Sequence, residues 1–93
     1  MNIQQEDNGR KGRFFVQENE TILAEMSYVW SGDDKFIIDH TEVDDSLSGK
    51  GVGKQLVMKA VEMAREKRIK ILPLCPFAKA VFDKVEIIQD VLF

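Results

Sequence analysis

The sequence predicts an α/β (α+β) domain with a mixed, mostly antiparallel sheet, one parallel pair of strands and two helices. Apolar and polar residues alternate through the first half of the chain, which is typical of strands. A glycine-rich turn then leads directly into a long amphipathic segment, and a short apolar run follows it. Strand, helix and strand in this order imply a right-handed crossover to a parallel neighbour.

Three antiparallel strands are expected before the glycine-rich turn. They are residues 13–18, 21–30 and 35–43, separated by polar turns. In the second of them, Ala24 and Met26 alternate with Glu25 and Ser27, so that one face of the sheet is apolar. Residues 1–11 are polar, and we expect this terminus to be frayed.

The second half of the chain predicts two helices around a short strand. Residues 50–68 carry apolar positions at helical spacing, and residues 69–75 are apolar and strand-like. Pro73 has no N–H to donate, so this strand is unpaired on one side there, at an edge or where two strands splay apart. A second helix begins at Pro76. Residues 85–93 form either a closing strand or a cover for the sheet.

Composition limits the class of protein. Ninety-three residues fit one domain, residues 1–93, and 44% hydrophobic with 31% charged residues is ordinary for a globular protein. One cysteine and one histidine exclude an intrachain disulfide and disfavour a metal site. A net charge of −3 disfavours nucleic acid, and no apolar run has membrane-spanning length. The N-terminus lacks the pattern of a signal peptide, so we expect a cytoplasmic protein.

The glycine-rich turn has the features of an anion cradle. It comprises Ser48, Gly49, Lys50, Gly51, Val52, Gly53 and Lys54. Glycines let the backbone approach a ligand, and the first N–H groups of a helix have no partner within it. The alternative is a tight connection with solvated lysines. The spacing matches neither the Walker A loop nor the dinucleotide fingerprint, so neither ATP nor NAD is indicated.

Residues 48–53 resemble a family signature, [Gln/Arg]-x-x-Gly-x-[Gly/Ala], of the GNAT N-acetyltransferases, which use acetyl-CoA. Ser48 stands where the signature has Gln or Arg, which removes one side-chain donor but no backbone donor. A closer resemblance is to short stand-alone GNAT-like proteins, whose pattern includes His-Thr-x-Val before the turn and a cysteine after the next strand. Residues 40–43 and Cys75 match that pattern.

The resemblance implies a minimal GNAT-like fold whose central strands splay into a V that holds acetyl-CoA. The residues it assigns to the cofactor are Thr41, Val43, Ser48, Gly49, Lys50, Gly51, Val52, Gly53, Lys54, Phe77, Lys79 and Phe82. It also implies acetyl transfer to an amine of a protein or small molecule, on an acceptor side that is open or completed by a partner. The alternatives are a non-catalytic acyl-CoA-binding module and an interaction domain whose glycine turn holds nothing.

Three residues are candidates for the chemistry. An amine must lose its proton before it attacks, and His40 and Glu42 share one face of their strand by the two-residue period, whereas Asp39 is expected on the other face. Cys75 precedes the second helix, whose N-terminus with Lys79 one turn on favours a thiolate. This thiol could accept the acetyl group or protonate the departing CoA. The alternatives are a structural histidine, a solvated carboxylate and a small buried thiol.

Overall fold

A computed structural model, which describes residues 2–93, contains a five-stranded sheet in the order β1-β2-β3-β4-β5. The strands are β1 (Gln4–Asp7), β2 (Lys11–Glu18), β3 (Thr21–Ser31), β4 (Lys35–Val43) and β5 (Lys70–Pro73). The first four are antiparallel to their neighbours, and β5 lies parallel to β4. The predicted fold class and the parallel pair are therefore confirmed.

Two α-helices and two 3-10 helices complete the chain. They are a 3-10 helix (Asp45–Leu47), α1 (Val52–Lys67), α2 (Pro76–Lys84) and a second 3-10 helix (Glu86–Val91). Helix α1 begins after Gly51 and ends at Arg68, both in the left-handed conformation. Pro76 is the first residue of α2, as predicted, because its fixed φ and missing N–H suit that position. No helix within residues 2–93 is long and apolar enough to cross a membrane.

The expectation of a frayed terminus over residues 1–11 is wrong for the segment that forms β1. This strand pairs with β2, and Gln5 and Asp7 reach across it to the hydroxyl of Tyr28, at 2.7 Å each. Met1 lies outside the described residues. Polar side chains mark this strand because they bind a buried tyrosine hydroxyl rather than fill an apolar core, so composition alone gives no sign of it.

Residues 85–93 mostly cover the sheet and add only one bridge to it. Arg65 of α1 donates to Asp90 and to the carbonyl of Ile87, each at 2.7 Å, and thereby holds the second 3-10 helix. Leu92 then forms a single parallel bridge with Ile71. A closing strand, one of the two expected alternatives, is thus reduced to one pair of residues.

The core lies between α1, α2 and one face of the sheet, which we call the inner face. Its residues include Ala24, Met26 and Tyr28 of β3, which are buried, so the predicted alternation of that strand is confirmed. Cross-strand partners share a face, and Glu25 and Ser27 therefore define the opposite, outer face. The residues of β4 that belong to this core identify the side of the strand that faces the helices.

Candidate functional site

Strands β4 and β5 separate at Pro73. The last pair in their register is Ile38 with Pro73, and the N–H groups of Leu74 and Cys75 both donate to the carbonyl of Ile38 at 3.0 Å. Beyond that point, the backbone of residues 39–43 of β4 has no hydrogen-bond partner on the β5 side within the described chain. Pro73 was expected at an edge or where two strands splay apart, and both hold, because β5 is the last strand of the sheet and separates from β4 after this residue. The splay leaves a free strand edge on β4.

A β-bulge at Asp39 decides which residues face the splay. Ser27 pairs with His40 and Tyr28 pairs with Ile38, so Asp39 is an extra residue without a partner on β3. The Ser27 hydroxyl donates to the Asp39 carboxylate at 2.6 Å, which places Asp39 on the outer face. The expectation that Asp39 and His40 point to opposite faces is wrong, because the bulge interrupts the two-residue period between them.

The bulge also divides the candidate catalytic residues between the two faces of β4. Thr41 pairs with the buried Met26 and lies on the inner face, where its Oγ1 accepts a hydrogen bond from Cys75 Sγ at 3.3 Å. His40 pairs with Ser27 and lies on the outer face with Glu42. The structure therefore brings Cys75 to Thr41 and does not bring it to His40.

Cys75 lies where the splay begins. It is the N-cap residue of α2, as predicted, and only 5% of its surface is exposed. It accepts the N–H of Lys79 through its carbonyl at 2.9 Å, while the ammonium group of Lys79 binds Asp83 at 3.2 Å. The ammonium group of Lys79 is thus paired with a carboxylate of its own helix, and no contact between Lys79 and the Cys75 thiol supports the expected stabilisation of a thiolate.

His40 and Glu42 are exposed and weakly paired. Their side chains are 60% and 81% exposed, with 3.8 Å between His40 Nε2 and Glu42 Oε2. No hydrogen bond joins His40 to Asp39 within residues 2–93. Both side chains are open to an acceptor that approaches the outer face, and neither is committed to a structural hydrogen bond in that part of the chain.

The glycine turn offers a row of free backbone donors. Gly49 and Gly51 have φ of 79° and 69°, and no atom lies within 4 Å of the position that a Cβ would occupy on either. Within the described residues, the N–H groups of Gly49, Gly51, Val52, Gly53 and Lys54 donate to no protein acceptor. Lys50 and Lys54 are exposed and form no ion pair in this part of the chain. Donors and cations without partners fit an anionic group.

Glycine at position 53 has a different physical role from Gly49 and Gly51. A Cβ at this position would overlap the tip of the Phe77 ring, so the ring of α2 packs here against a residue without a side chain. Phe77 itself remains 44% exposed and reaches the surface beside the turn. The signature glycine at 53 thus serves helix packing, and its N–H is the only part of it left for a ligand.

The other residues that were expected to contact the cofactor differ in how accessible they are to a ligand. Phe82 is 1% exposed and belongs to the core, so it offers almost no surface to a ligand in this structure. Val43 and Ser48 lie along the path from the free edge to the turn. Leu74, which the sequence analysis did not single out, is 61% exposed at the start of the splay. An apolar residue directly after Pro73 was the available signal.

An acidic cavity of about 500 Å³ adjoins the end of β4. Its lining residues are Ile22, Leu23, Ala24, Glu25, Glu42, Val43, Asp44 and Asp45. A hydrogen bond from Ser46 holds the pKa of the Asp44 carboxyl below its ordinary value, so this group stays charged. Among residues 2–93, no cluster of His, Cys, Asp and Glu could hold a metal ion. Glu25 at the rim of the cavity is paired with Arg13, and the carboxylates of Glu42, Asp44 and Asp45 suit a cationic group on Coulombic grounds.

The fold and this site define a small α/β protein with a splayed parallel strand pair beside a helix-terminal glycine turn. A family model described as GCN5-related N-acetyl-transferase matches residues 13–91. The chain belongs to this family, which confirms the resemblance drawn from residues 40–53 and Cys75. Among curated proteins, no match to the chain is found.

Solved structures agree with the family model. A GCN5-like protein from Staphylococcus aureus is 39% identical, with a TM-score of 0.73 over 97% of this chain and 87% of that one. Ribosomal-protein-alanine N-acetyltransferase from Brucella melitensis biovar Abortus 2308 is 15% identical, with a TM-score of 0.69 over 84% of this chain and 62% of that one.

The IAA acetyltransferase from Bacillus cereus is 20% identical, with a TM-score of 0.62 over 81% of this chain and 53% of that one. The chain therefore spans less than two thirds of the Brucella and Bacillus proteins, and these two similarities concern the fold alone.

Proposed function

We propose that this protein binds acetyl-CoA and transfers the acetyl group to an amine on a protein or small molecule. The observation that carries the proposal is that the free edge of β4 leads within a few residues to the free N–H groups of the glycine turn. A pantetheine arm has amide groups that can pair with a strand edge, and a pyrophosphate can accept from a helix N-terminus. One extended ligand satisfies both sets of donors.

The residues present fit this cofactor. The space around Gly49 and Gly51 is open, so a phosphate can approach the backbone closely, and Lys50 and Lys54 add charge beside it. Phe77 and Leu74 supply exposed apolar surface next to the splay. In this arrangement the thioester would lie near the point where β4 and β5 separate, beside Cys75.

The two faces of β4 suit two different parts of the reaction. Transfer forms a bond between the amine nitrogen and the acetyl carbon and breaks the bond from that carbon to the CoA sulfur. The amine loses a proton and the CoA thiolate gains one. An ordinary amine has a pKa of about 10.4, so a base is needed on its side. His40 and Glu42 serve that side, and the acidic cavity attracts the cationic acceptor to it.

Cys75 serves the sulfur side. In one route its thiol gives a proton to the departing CoA thiolate and recovers the proton that the amine releases. In the other route its sulfur attacks the thioester carbon and CoA leaves with the proton of the thiol. The amine then displaces the acetyl group from Cys75, and the released thiolate takes up the proton that the amine loses. Both routes end with free thiol, free CoA and the acetylated amine.

Calorimetric titration with acetyl-CoA, with ATP as the control ligand, tests the cofactor. We expect saturable binding of acetyl-CoA and none of ATP. Gly51→Asn should weaken binding at least about tenfold, because asparagine tolerates the left-handed φ but places a side chain in the open space. Gly32→Asn, the same change at a φ of 70° in the turn after β3, should bind normally. Absence of acetyl-CoA binding to the parent protein would overturn the proposal.

Turnover with a panel of amines tests the enzyme. Binding without turnover of any amine would favour the non-catalytic acyl-CoA-binding module. Cys75→Ala should slow transfer at nearly unchanged acetyl-CoA affinity, and an unchanged rate would remove Cys75 from the mechanism. Mass spectrometry of acid-quenched protein separates the two routes, because only the second leaves an acetyl group on Cys75.

A further inference from the structure

Thr41 owes its position beside Cys75 to the bulge in β4. In a regular strand, residues 38 and 41 face opposite sides, because side chains alternate. The extra residue Asp39 shifts the alternation by one, so that Ile38 and Thr41 both face the helices. The sequence places a hydroxyl three residues after a core isoleucine, and the bulge turns that hydroxyl toward the splay.

The Thr41 hydroxyl is the polar side-chain group that contacts the thiol. Cys75 Sγ lies 3.3 Å from Thr41 Oγ1, and within residues 2–93 this is the one side-chain hydrogen bond of the thiol. The charged side chains of the surrounding elements are directed elsewhere. His40 and Glu42 face the outer side of β4, Lys79 of α2 binds Asp83, and the lysines of the glycine turn are exposed.

We propose that Thr41 is a positioning residue that orients the Cys75 thiol and holds its thiolate form. This rests on the function proposed above. A hydroxyl is both donor and acceptor, so Thr41 accepts from the S–H group and, after rotation about its C–O bond, donates to S⁻. Hydrogen bonds to charged acceptors are about twice as strong as neutral ones, so the thiolate gains more than the thiol.

Alkylation of Cys75 tests this role without any acetyl donor. The chain has one cysteine, so iodoacetamide consumption reports on this thiol alone. The rate is measured against pH for the parent, Thr41→Val and Thr41→Ser. Valine keeps the branched shape without the hydroxyl, and we expect it to move the midpoint of the rate profile up by about one pH unit. Serine restores a hydroxyl and should return the midpoint to the parent position.

Two controls separate positioning from a general change of structure. Thr21→Val makes the same substitution at the start of β3, where the side chain is exposed, and should leave the midpoint in place. When the variants are unfolded in guanidinium chloride, the pH midpoints of their alkylation rates should coincide, because the contact between Thr41 and Cys75 exists only in the folded chain. A midpoint for Thr41→Val equal to that of the parent, or one that Thr41→Ser does not restore, would overturn the proposal.

The outcome is independent of the acetyl-CoA titration. A shifted midpoint in a protein that binds no acetyl-CoA would leave the contact between Thr41 and Cys75 standing and remove the proposed function. If the protein transfers acetyl but the midpoint of its alkylation profile is the same in the parent and in Thr41→Val, the proposed function stands and Thr41 is not a positioning residue.

Discussion

Two polar clusters lie on the same sheet and differ in how fully their groups are hydrogen-bonded. The first, which we call the clamp, comprises Gln5, Asp7, Tyr28 and Trp30. Asp7 accepts from the Tyr28 hydroxyl at 2.7 Å, from Trp30 Nε1 at 2.9 Å and from the N–H of Gly9 at 2.7 Å, and Gln5 donates to Tyr28 at 2.7 Å. The clamp ties β1 to the core.

The second, which we call the splay cluster, comprises Thr41 and Cys75 on the inner face beside the splay and His40 and Glu42 on the outer face of the same strand end. It has one hydrogen bond of 3.3 Å and one ion pair of 3.8 Å, although it has a similar number of polar side chains. A buried polar group without a partner costs free energy, so the clamp is complete because the fold needs it. The splay cluster is partly exposed and keeps its bonding capacity for a ligand.

Gly12→Ala should have the largest effect on stability, because it disrupts the clamp. A Cβ at this position would lie 2.5 Å from the Tyr28 ring and hydroxyl and 2.6 Å from the carbonyl oxygen of Glu6. Neither the buried ring nor the backbone can move freely, so we expect a loss of about 1–3 kcal/mol in the free energy of unfolding. Urea denaturation measures this loss.

The acetyl-CoA affinity of Gly12→Ala, measured under native conditions, serves as the control and should match the parent. A variant as stable as the parent would mean that the Tyr28 ring does not lie against Gly12. A variant that folds but loses acetyl-CoA would contradict the separation of the two clusters.

Tyr28→Phe removes one hydroxyl from the clamp and should cost about 1–2 kcal/mol. The substitution leaves Gln5 and Asp7 without their shared partner but keeps the buried ring. Ser27→Ala is the matched control, because it also removes a hydroxyl that binds an aspartate, but on the exposed outer face. That control should stay within about 0.5 kcal/mol of the parent in the same urea experiment. Equal losses for the two variants would refute the distinction between them.

Acid should weaken the clamp through Asp7. Burial by itself raises the pKa of Asp7, but hydrogen bonds from Tyr28, Gly9 and Trp30 outweigh it and hold the pKa below the ordinary value of 3.8. A lowered pKa contributes stability above the pKa of the unfolded chain, and this stability is lost as pH falls through the folded pKa. The parent should therefore lose stability below about pH 4 more steeply than Asp7→Asn.

Hydrogen bonds also lower the pKa of Asp44 and Asp90, so both proteins will weaken in acid. The quantity to measure is the difference between the unfolding free energies of parent and Asp7→Asn at several pH values. This difference should shrink as pH falls. A difference that stays constant from about pH 6 to pH 3 would show that the Asp7 carboxylate contributes nothing through its charge.

The clamp and the splay cluster were not equally predictable from the sequence. Pro73, Pro76 and Cys75 have local constraints, a missing N–H or a helix start, and those constraints correctly predicted an edge or splay at Pro73 and the start of α2. Strand β1 was missed because the partners of its polar side chains lie on other strands. Gln5 and Asp7 bind Tyr28, more than twenty residues away in the chain, and Glu6 binds Arg13.

The bulge at Asp39 was missed for a related reason. A strand with an extra residue has the same composition as a regular one, and only pairing with β3 reveals which residue is extra. The bulge determines which face of the sheet each residue of β4 after Ile38 lies on. The relation of Asp39 to His40 was therefore wrong, and the contact between Thr41 and Cys75 was absent from the predictions, although both residues had been singled out.

His40→Gln should have the smallest effect on stability and a clear effect on catalysis. The side chain is exposed and pairs only with Glu42 at 3.8 Å, so the free energy of unfolding should change by less than about 0.5 kcal/mol. Glutamine keeps a similar size and a hydrogen-bonding amide but cannot take a proton from the amine. The variant should bind acetyl-CoA normally and have a pH–rate profile that differs from that of the parent.

Glu42→Gln, which removes the other proton acceptor of the splay cluster, is the matched comparison for His40→Gln. If His40 is the base, only the histidine variant should change the shape of the pH–rate profile, whereas the glutamate variant should change the rate uniformly through weaker attraction of a cationic acceptor. A profile for His40→Gln identical to that of the parent would remove His40 from the mechanism. A change of shape in Glu42→Gln alone would transfer the role to the carboxylate, which lines the acidic cavity while His40 does not.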